Sequence, residues 1–375
     1  MNVALPMAYR RPGLGMMESW RKRERNMHFG AFMEFGNRAG VSEAQAFQEG
    51  FRMVDAAEEM GLDGVWLAEL HFNPVRSVLS SPIVVASAIA ARTKRIRVGM
   101  AVYVLPLSNP LRIAEEVATV DHISEGRFEF GIGRSGFARS YDVYSIPYED
   151  SQARFAESLE IILQAWKGEE FSYKGSHYNV DKATVTPMPY QQPHPPLRIA
   201  ANSSETFTRL GKAGHPIFLG LRGMDVPELR RNVDEYRRCW KEAGHPGAGD
   251  VSLRIPVYAG ETKDEAMDEP FESISGYFSR MGSLYREAAG KAGIDVTELG
   301  DGRADRLAAL SYEDMLETKI AFGTAEGLVD RFTQLKEELG LDSLVAELNA
   351  GGLIPEERVL RSLRIMTEKV MPAFK

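Results

Sequence analysis

Three short stretches of this 375-residue chain bring together residue types that can do chemistry. The first is RFEFGIGRSG, Arg127 to Gly136, where an apolar run meets Gly131, Gly133 and Gly136 with Arg134 among them. A GxGxxG spacing lets a backbone approach a pyrophosphate, provided that a helix opens at the last glycine and an acidic residue follows about 20 residues on. Neither condition is met, because the next helical pattern begins only after FARSYDVYSIPYED, Phe137 to Asp150. Arg134 then reads as an anion holder at a strand end or as the partner of a surface acid. The second stretch holds Glu69 and His71, a carboxylate and an imidazole before a long polar connection, a pair suited to proton transfer; a structural role beside Phe72 is the plainer alternative. The third is NSSET, Asn202 to Thr206. Ser203 and Thr206 fall in the first turn of a helix, where backbone N–H groups and the helix dipole attract an anion, or where a hydroxyl simply caps the helix.

The elements that must position these residues alternate short apolar runs with longer amphipathic segments, the pattern of repeated βα units. Strands are expected at HFGAFM (His28 to Met33), DGVWLAEL (Asp63 to Leu70), RIRVGMAVYVLP (Arg95 to Pro106) and then the Arg127 stretch. Four more follow at Pro195 to Ala201, His215 to Gly220, Asp250 to Gly260 and Leu341 to Asn349. Helices are expected around Phe47, Phe51 and Val54, from about Ile83 to Ala91, Leu111 to His122 and Asp150 to Trp166. Others begin at NSSET and at the GTAEG of Gly323, and a last one runs from Pro355 to about Val370. The stretch Glu170 to Pro189, aromatic and β-branched around Lys174-Gly175, reads as an inserted hairpin. Met267 to Thr318 reads as a charged insertion of helices about a mobile connection. Eight strands in this alternation specify a (β/α)8 TIM-type barrel with two insertions, a single domain over 27–375 behind an N-terminal arm, 1–26. The polar ends of its second, third, fifth and eighth strands collect Glu69, His71, Tyr103, Asn202, Ser203, Glu347 and Asn349 on the face where such barrels place their sites.

Composition narrows the function classes. A net charge of −8, with both signs mixed along the chain, offers no basic stripe for nucleic acid. No apolar run approaches the roughly 18 residues of a membrane span. Cys239 is the only cysteine and the seven histidines show no metal-ligand spacing, so neither a disulfide nor a metal site is expected, which suits a cytoplasmic location.

At MHFGAF, GLDGVWLAELHF, RIRVGMAVYVLP, SNPLRIAEEVATVDHISEGRFEFGIGRSG, PLRIAANSSET and the closing KVMPAF, the sequence resembles the bacterial luciferase-like family of flavin-dependent monooxygenases and reductases, from Met27 to the C-terminus. The resemblance implies a barrel that binds reduced FMN at its C-terminal strand ends. It implies a non-proline cis peptide at Ala101-Val102 against the isoalloxazine, and Arg134, Ser203 and Thr206 on the flavin phosphate. Asn202 stands where luciferase has an acidic residue, and Gly133 stands where it has a reactive cysteine, leaving more room beside the flavin. Luciferase has two adjacent histidines after the strand-end glutamate; Leu70 replaces the first and His71 matches the second, which speaks against light emission and aldehyde chemistry.

The resulting expectation is a two-component monooxygenase, taking reduced FMN from a separate reductase and using molecular oxygen on a small organic substrate. Its insertion from about Ser279 to Tyr312 would act as a lid. By the same resemblance it forms a homodimer. A deazaflavin-dependent oxidoreductase would use the same phosphate residues, and a non-catalytic flavin-binding or dimer-partner subunit is the reading from outside enzyme chemistry.

Overall fold

The computed structural model describes residues 26–291 and 307–375, apart from 39, 222 and 308. Its eight main strands are β1 (His28–Met33), β2 (Gly64–Leu67), β3 (Arg97–Met100), β4 (Phe128–Gly133), β5 (Leu197–Ala200), β6 (Ile217–Gly220), β7 (Val251–Ala259) and β8 (Ser343–Glu347). Each pairs in parallel with the next, and β8 returns to β1 with Ser343 opposite His28, so the sheet closes into a barrel. One main helix follows each strand: α1 (Glu43–Glu59), α2 (Pro82–Arg92), α3 (Pro110–Ile123), α4 (Ser151–Ala165), α5 (Ser204–Ala213), α6 (Val226–Glu242), α7 (Ala325–Leu339) and α8 (Glu356–Ile365). Among the described residues no helix is long and apolar enough to cross a membrane.

The period-two alternation of the strands sorts their side chains into two cores. Phe29, Val65, Leu67, Val98, Phe130 and Leu344 join the large cluster between sheet and helices. Phe32, Trp66, Ala68, Phe218 and Val345 form a separate cluster inside the barrel. Trp66 fills that interior because its neighbours carry no side chain: a Cβ at Gly30 or Gly99 would stand 2.6 or 2.4 Å from its indole. Below it, the buried Arg198 binds Glu129 at 3.0 Å, Asp250 at 3.0 Å and Ser252 Oγ at 2.9 Å. Such pairing offsets the cost of placing a guanidinium in the interior.

The barrel's N-terminal rim carries a pH dependence. Asp342, just before β8, accepts from the Val251 N–H at 2.8 Å. Burial first, and the charge of Asp250 second, push its pKa up from 3.8 to about 6. The folded state therefore holds this proton more tightly than the unfolded chain, so the contribution is full below the unfolded value and is lost as pH rises through about 6. The loss amounts to roughly 1.5 kcal/mol between pH 5 and pH 8. Asp342→Asn keeps an acceptor and removes the titration. Urea denaturation at both pH values should show the variant gaining by that amount on the natural protein, and parallel pH profiles would refute the assignment.

Four elements differ from the sequence reading. RIRVGMAVYVLP forms two strands, β3 and the two-residue Tyr103–Val104, which pairs with Ile132 and Gly133 of β4; the cis Ala101-Val102 peptide lies between them. The connection after Gly136 contains a short helix, Ala138–Val143. Helix α6 falls where the sequence reading places no element, although Asp225 caps it through the Glu228 N–H at 2.8 Å and Pro227 sits in its first turn. A strand at Ala321–Gly323 pairs with Val257–Ala259 just ahead of α7. The expected hairpin is present, Phe171–Lys174 antiparallel to Asn179–Ala183. The insertion contributes helices Lys263–Asp268, Phe271–Lys291 and Tyr312–Thr318. Of the expected lid, residues 292–306 and 308 lie outside the described residues, as does the N-terminal arm through residue 25.

Candidate functional site

Two residues past β2, the nearly buried Glu69 carboxylate spends both oxygens within the site. Oε2 accepts the Val104 N–H at 2.9 Å, and Oε1 lies 2.8 Å from His71 Nε2. A hydrogen on Nε2 leaves Nδ1 as the acceptor for the Tyr144 hydroxyl at 3.3 Å. Burial, and then the Glu69 charge, raise the Tyr144 pKa above its usual value, which keeps that hydroxyl a donor. Tyr144 is 44 % exposed, so the row Tyr144, His71, Glu69 runs from the surface inward. Tyr144 is a site residue that the sequence did not reveal: it lies 73 positions from His71, in a connection read as loop.

The row ends at a cavity of about 180 Å³ whose walls include Glu69, Leu70, Ala101, Val102, Phe137 and Asn202. Phe32 and Ala68, from the apolar cluster inside the barrel, also line it. His71 does not line it and reaches it only through Glu69. Three strand ends here turn through non-glycine residues in the left-handed region: Phe35 at φ 51°, Phe72 at 54° and Ser135 at 61°. Each costs on the order of 1 kcal/mol or more, which the surrounding packing must offset.

Gly136 of GIGRSG lines the cavity with nothing within 4 Å of a Cβ built on it, whereas Gly131 and Gly133 are filled by groups of the neighbouring chain. A Cβ on Gly133 would stand 2.5 Å from Val102 Cγ2, so the missing side chain makes room for that valine. A Cβ on Gly131 would stand 1.8 Å from the Met100 carbonyl oxygen. These glycines let β3 and β4 approach each other at Ala101-Val102.

Arg134 leaves the end of β4 with its carbonyl held by the Tyr141 hydroxyl, and its Nη1 donates to Ser151 Oγ at 2.9 Å. Among the described residues it pairs with no carboxylate, and its guanidinium lies 5.7 Å from the centre of the Tyr148 ring. The surface-acid reading therefore loses ground. Ile132 of β4 pairs with Ile199 of β5, so Arg134 and Ser203 leave neighbouring strands on the same face. Ser203 holds the N-cap position of α5, yet its hydroxyl caps no backbone N–H and lies 2.8 Å from Thr206 Oγ1. Arg134, Ser203 and Thr206 stand outside the lining of the smaller cavity, whereas Asn202 belongs to it.

A buried ion network on the β1, β7 and β8 side escaped the sequence reading in part. Arg254 of β7 lies 2.7 Å from Glu347 and 3.6 Å from Glu34, and its guanidinium stacks 3.3 Å from the centre of the Phe32 ring. Arg76, in the connection after β2, also binds Glu34, its Nε donating at 2.9 Å. A basic residue midway through the apolar run DVSLRIPVYAG was the signal available for Arg254.

Residues 27–343 match the family model described as luciferase-like monooxygenase. The chain is 25 % identical over 340 residues to the oxygenase component of the flavin-dependent trigonelline monooxygenase of Acinetobacter baylyi, covering 89 % of this chain and 91 % of that protein. Among solved structures it superposes on the oxygenating constituent of 3,6-diketocamphane monooxygenase of Pseudomonas putida, in complex with FMN, with a TM-score of 0.75 at 20 % identity, covering 92 % of this chain and 98 % of that one. The coenzyme F420-dependent tetrahydromethanopterin reductase of Methanopyrus kandleri gives a TM-score of 0.72 at 20 % identity, covering 93 % of this chain and all of that one. At these identities the structural likenesses speak for the fold.

Proposed function

Because the chain belongs to the luciferase-like monooxygenase family, we propose that it is the oxygenase component of a two-component system, taking reduced FMN from a separate reductase and oxidising a small organic substrate with molecular oxygen. The observation that carries this reading is Arg134, a strand-end guanidinium with no carboxylate partner among the described residues, on the strand next to the one that leads into α5, whose N-cap side chain caps no backbone N–H. Arg134, Ser203 and Thr206 would hold the phosphate, and the ring system would lie against Ala101, Val102 and Asn202, with Gly133 seating the Val102 side chain. Reduced FMN, when bound, supplies the electrons and activates oxygen.

The chain's own part is placement, dryness and proton control. Phe32, Ala68, Leu70, Val102 and Phe137 form the apolar part of a lining that also carries Glu34, Arg76 and Arg254, and that part would keep water from the reacting atoms. Glu69 would hold a proton at Oε1, exchanging with His71 Nε2, and Tyr144 would link the imidazole to solvent. Leu70 leaves no imidazole on the wall itself, so light emission is not part of the proposal. The same phosphate cradle would fit a deazaflavin. Equilibrium titrations of oxidised FMN, reduced FMN and a deazaflavin separate these readings: reduced FMN should bind tightest, and its failure to bind would overturn the monooxygenase assignment.

A further inference from the structure

A second cavity, about 330 Å³, adjoins the first. Phe32, Glu34, Arg76 and Met281 line both and form the wall between them. From there it runs outward between α1 and α8, past Met33, Phe35, Met53, Leu348, Ile354 and Val359. Val75 and Leu353, 83 % and 47 % exposed, belong to its lining and set an apolar rim at the surface.

Most of the charged groups around this space are engaged with one another. Arg38 binds Glu49 at 2.5 Å, Arg52 grips both oxygens of Glu356 at 2.7 and 2.8 Å, and Glu347 is held by Arg254 at 2.7 Å. Glu34 is shared between Arg76 and Arg254. Arg280 donates to the Gly351 carbonyl at 3.2 Å. Asn349 uses its amide in both directions on the Ile354 backbone, each at 3.0 Å. Inward of the exposed Arg280, an ionic ligand would leave its charge without a partner or break an existing pair, and either outcome disfavours it. An apolar one would gain from every surface it covers.

We propose that this second cavity is the chamber for the organic substrate, and that the substrate is neutral and predominantly apolar, with its reacting end at the wall shared with the first cavity. Its part in the chemistry rests on the flavin reading; its binding does not.

Titration calorimetry of the full chain with 1-octanol, octanoate and octylammonium, each below its micelle concentration, tests the charge preference. Octanol should bind about tenfold or more tighter than either ion. Leu353→Trp, which narrows the rim at an exposed position, and Met53→Trp, which fills the interior, should each weaken octanol by about tenfold or more. Leu353→Trp should leave FMN affinity within about twofold of the natural protein. Octanol should also shift the visible absorbance of bound oxidised FMN. Equal binding of octanoate, unchanged octanol affinity in both folded variants, or octanol binding without effect on the FMN spectrum would each overturn the proposal. If FMN itself does not bind, the flavin reading fails, while the octanol affinities still decide whether the cavity takes a neutral apolar ligand.

Discussion

Arg134→Ala is expected to weaken FMN binding by about 1.5–3 kcal/mol, roughly 10- to 150-fold in Kd, the range for a hydrogen bond to a charged group. The geometry behind this figure is the strand-end guanidinium, anchored on one side to Ser151 Oγ and bearing no carboxylate among the described residues. Its charge is therefore available to a ligand. Arg134→Lys separates charge from shape, because lysine keeps a cation but loses the planar fork that matches a phosphate. It should recover only part of the loss. Thermal denaturation of both variants without flavin checks that the missing Ser151 contact has not unfolded the strand end. Unchanged FMN affinity in a folded Arg134→Ala protein would remove Arg134 from the site and, with it, the observation on which the functional proposal stands.

Gly131→Ala should be the most destabilising single change at this site, costing about 3 kcal/mol or more, at or beyond the upper end for overpacking a well-filled core. The added Cβ would meet the Met100 carbonyl oxygen at 1.8 Å and its carbon at 2.9 Å. A backbone carbonyl in a barrel cannot rotate aside as a side-chain tip can, so β3 and β4 must separate, and Ala101 and Val102 would shift with them. Gly133→Ala provides the comparison. Its Cβ would meet a valine methyl at 2.5 Å, which a side-chain adjustment can partly relieve, so its cost should be less than half as large. Urea denaturation of the two variants measures the difference. A Gly131→Ala protein within about 1 kcal/mol of the natural one would show that the strands are not so closely apposed.

Much of the scaffold was legible because its cause is local. HFGAFM became β1 with the expected boundaries, and the expected α3 and α4 were found within a residue or so, since apolar period and capping residues act over a few positions. The break between Met100 and Tyr103 was not legible in periodicity, because the apolar run continues through it. The meaning of the glycines also changed. GIGRSG announced close approach, but what approaches was settled across the barrel: Met100 at Gly131 and Val102 at Gly133, with Trp66 filling the same interior at Gly30 and Gly99.

By itself, the sequence determined the βα alternation, the barrel it implies and the strand ends that carry Glu69, Arg134 and Ser203, because those features follow from short-range spacing and residue type. Only the tertiary structure decided that Tyr144 meets His71 and that Arg254 sits among Glu347, Glu34 and Phe32. The closing register of eight strands sets which inward side chains share a level, and chain distance carries no record of it. It also decided that Gly133 accommodates Val102, since an absent side chain does not disclose what will fill its place.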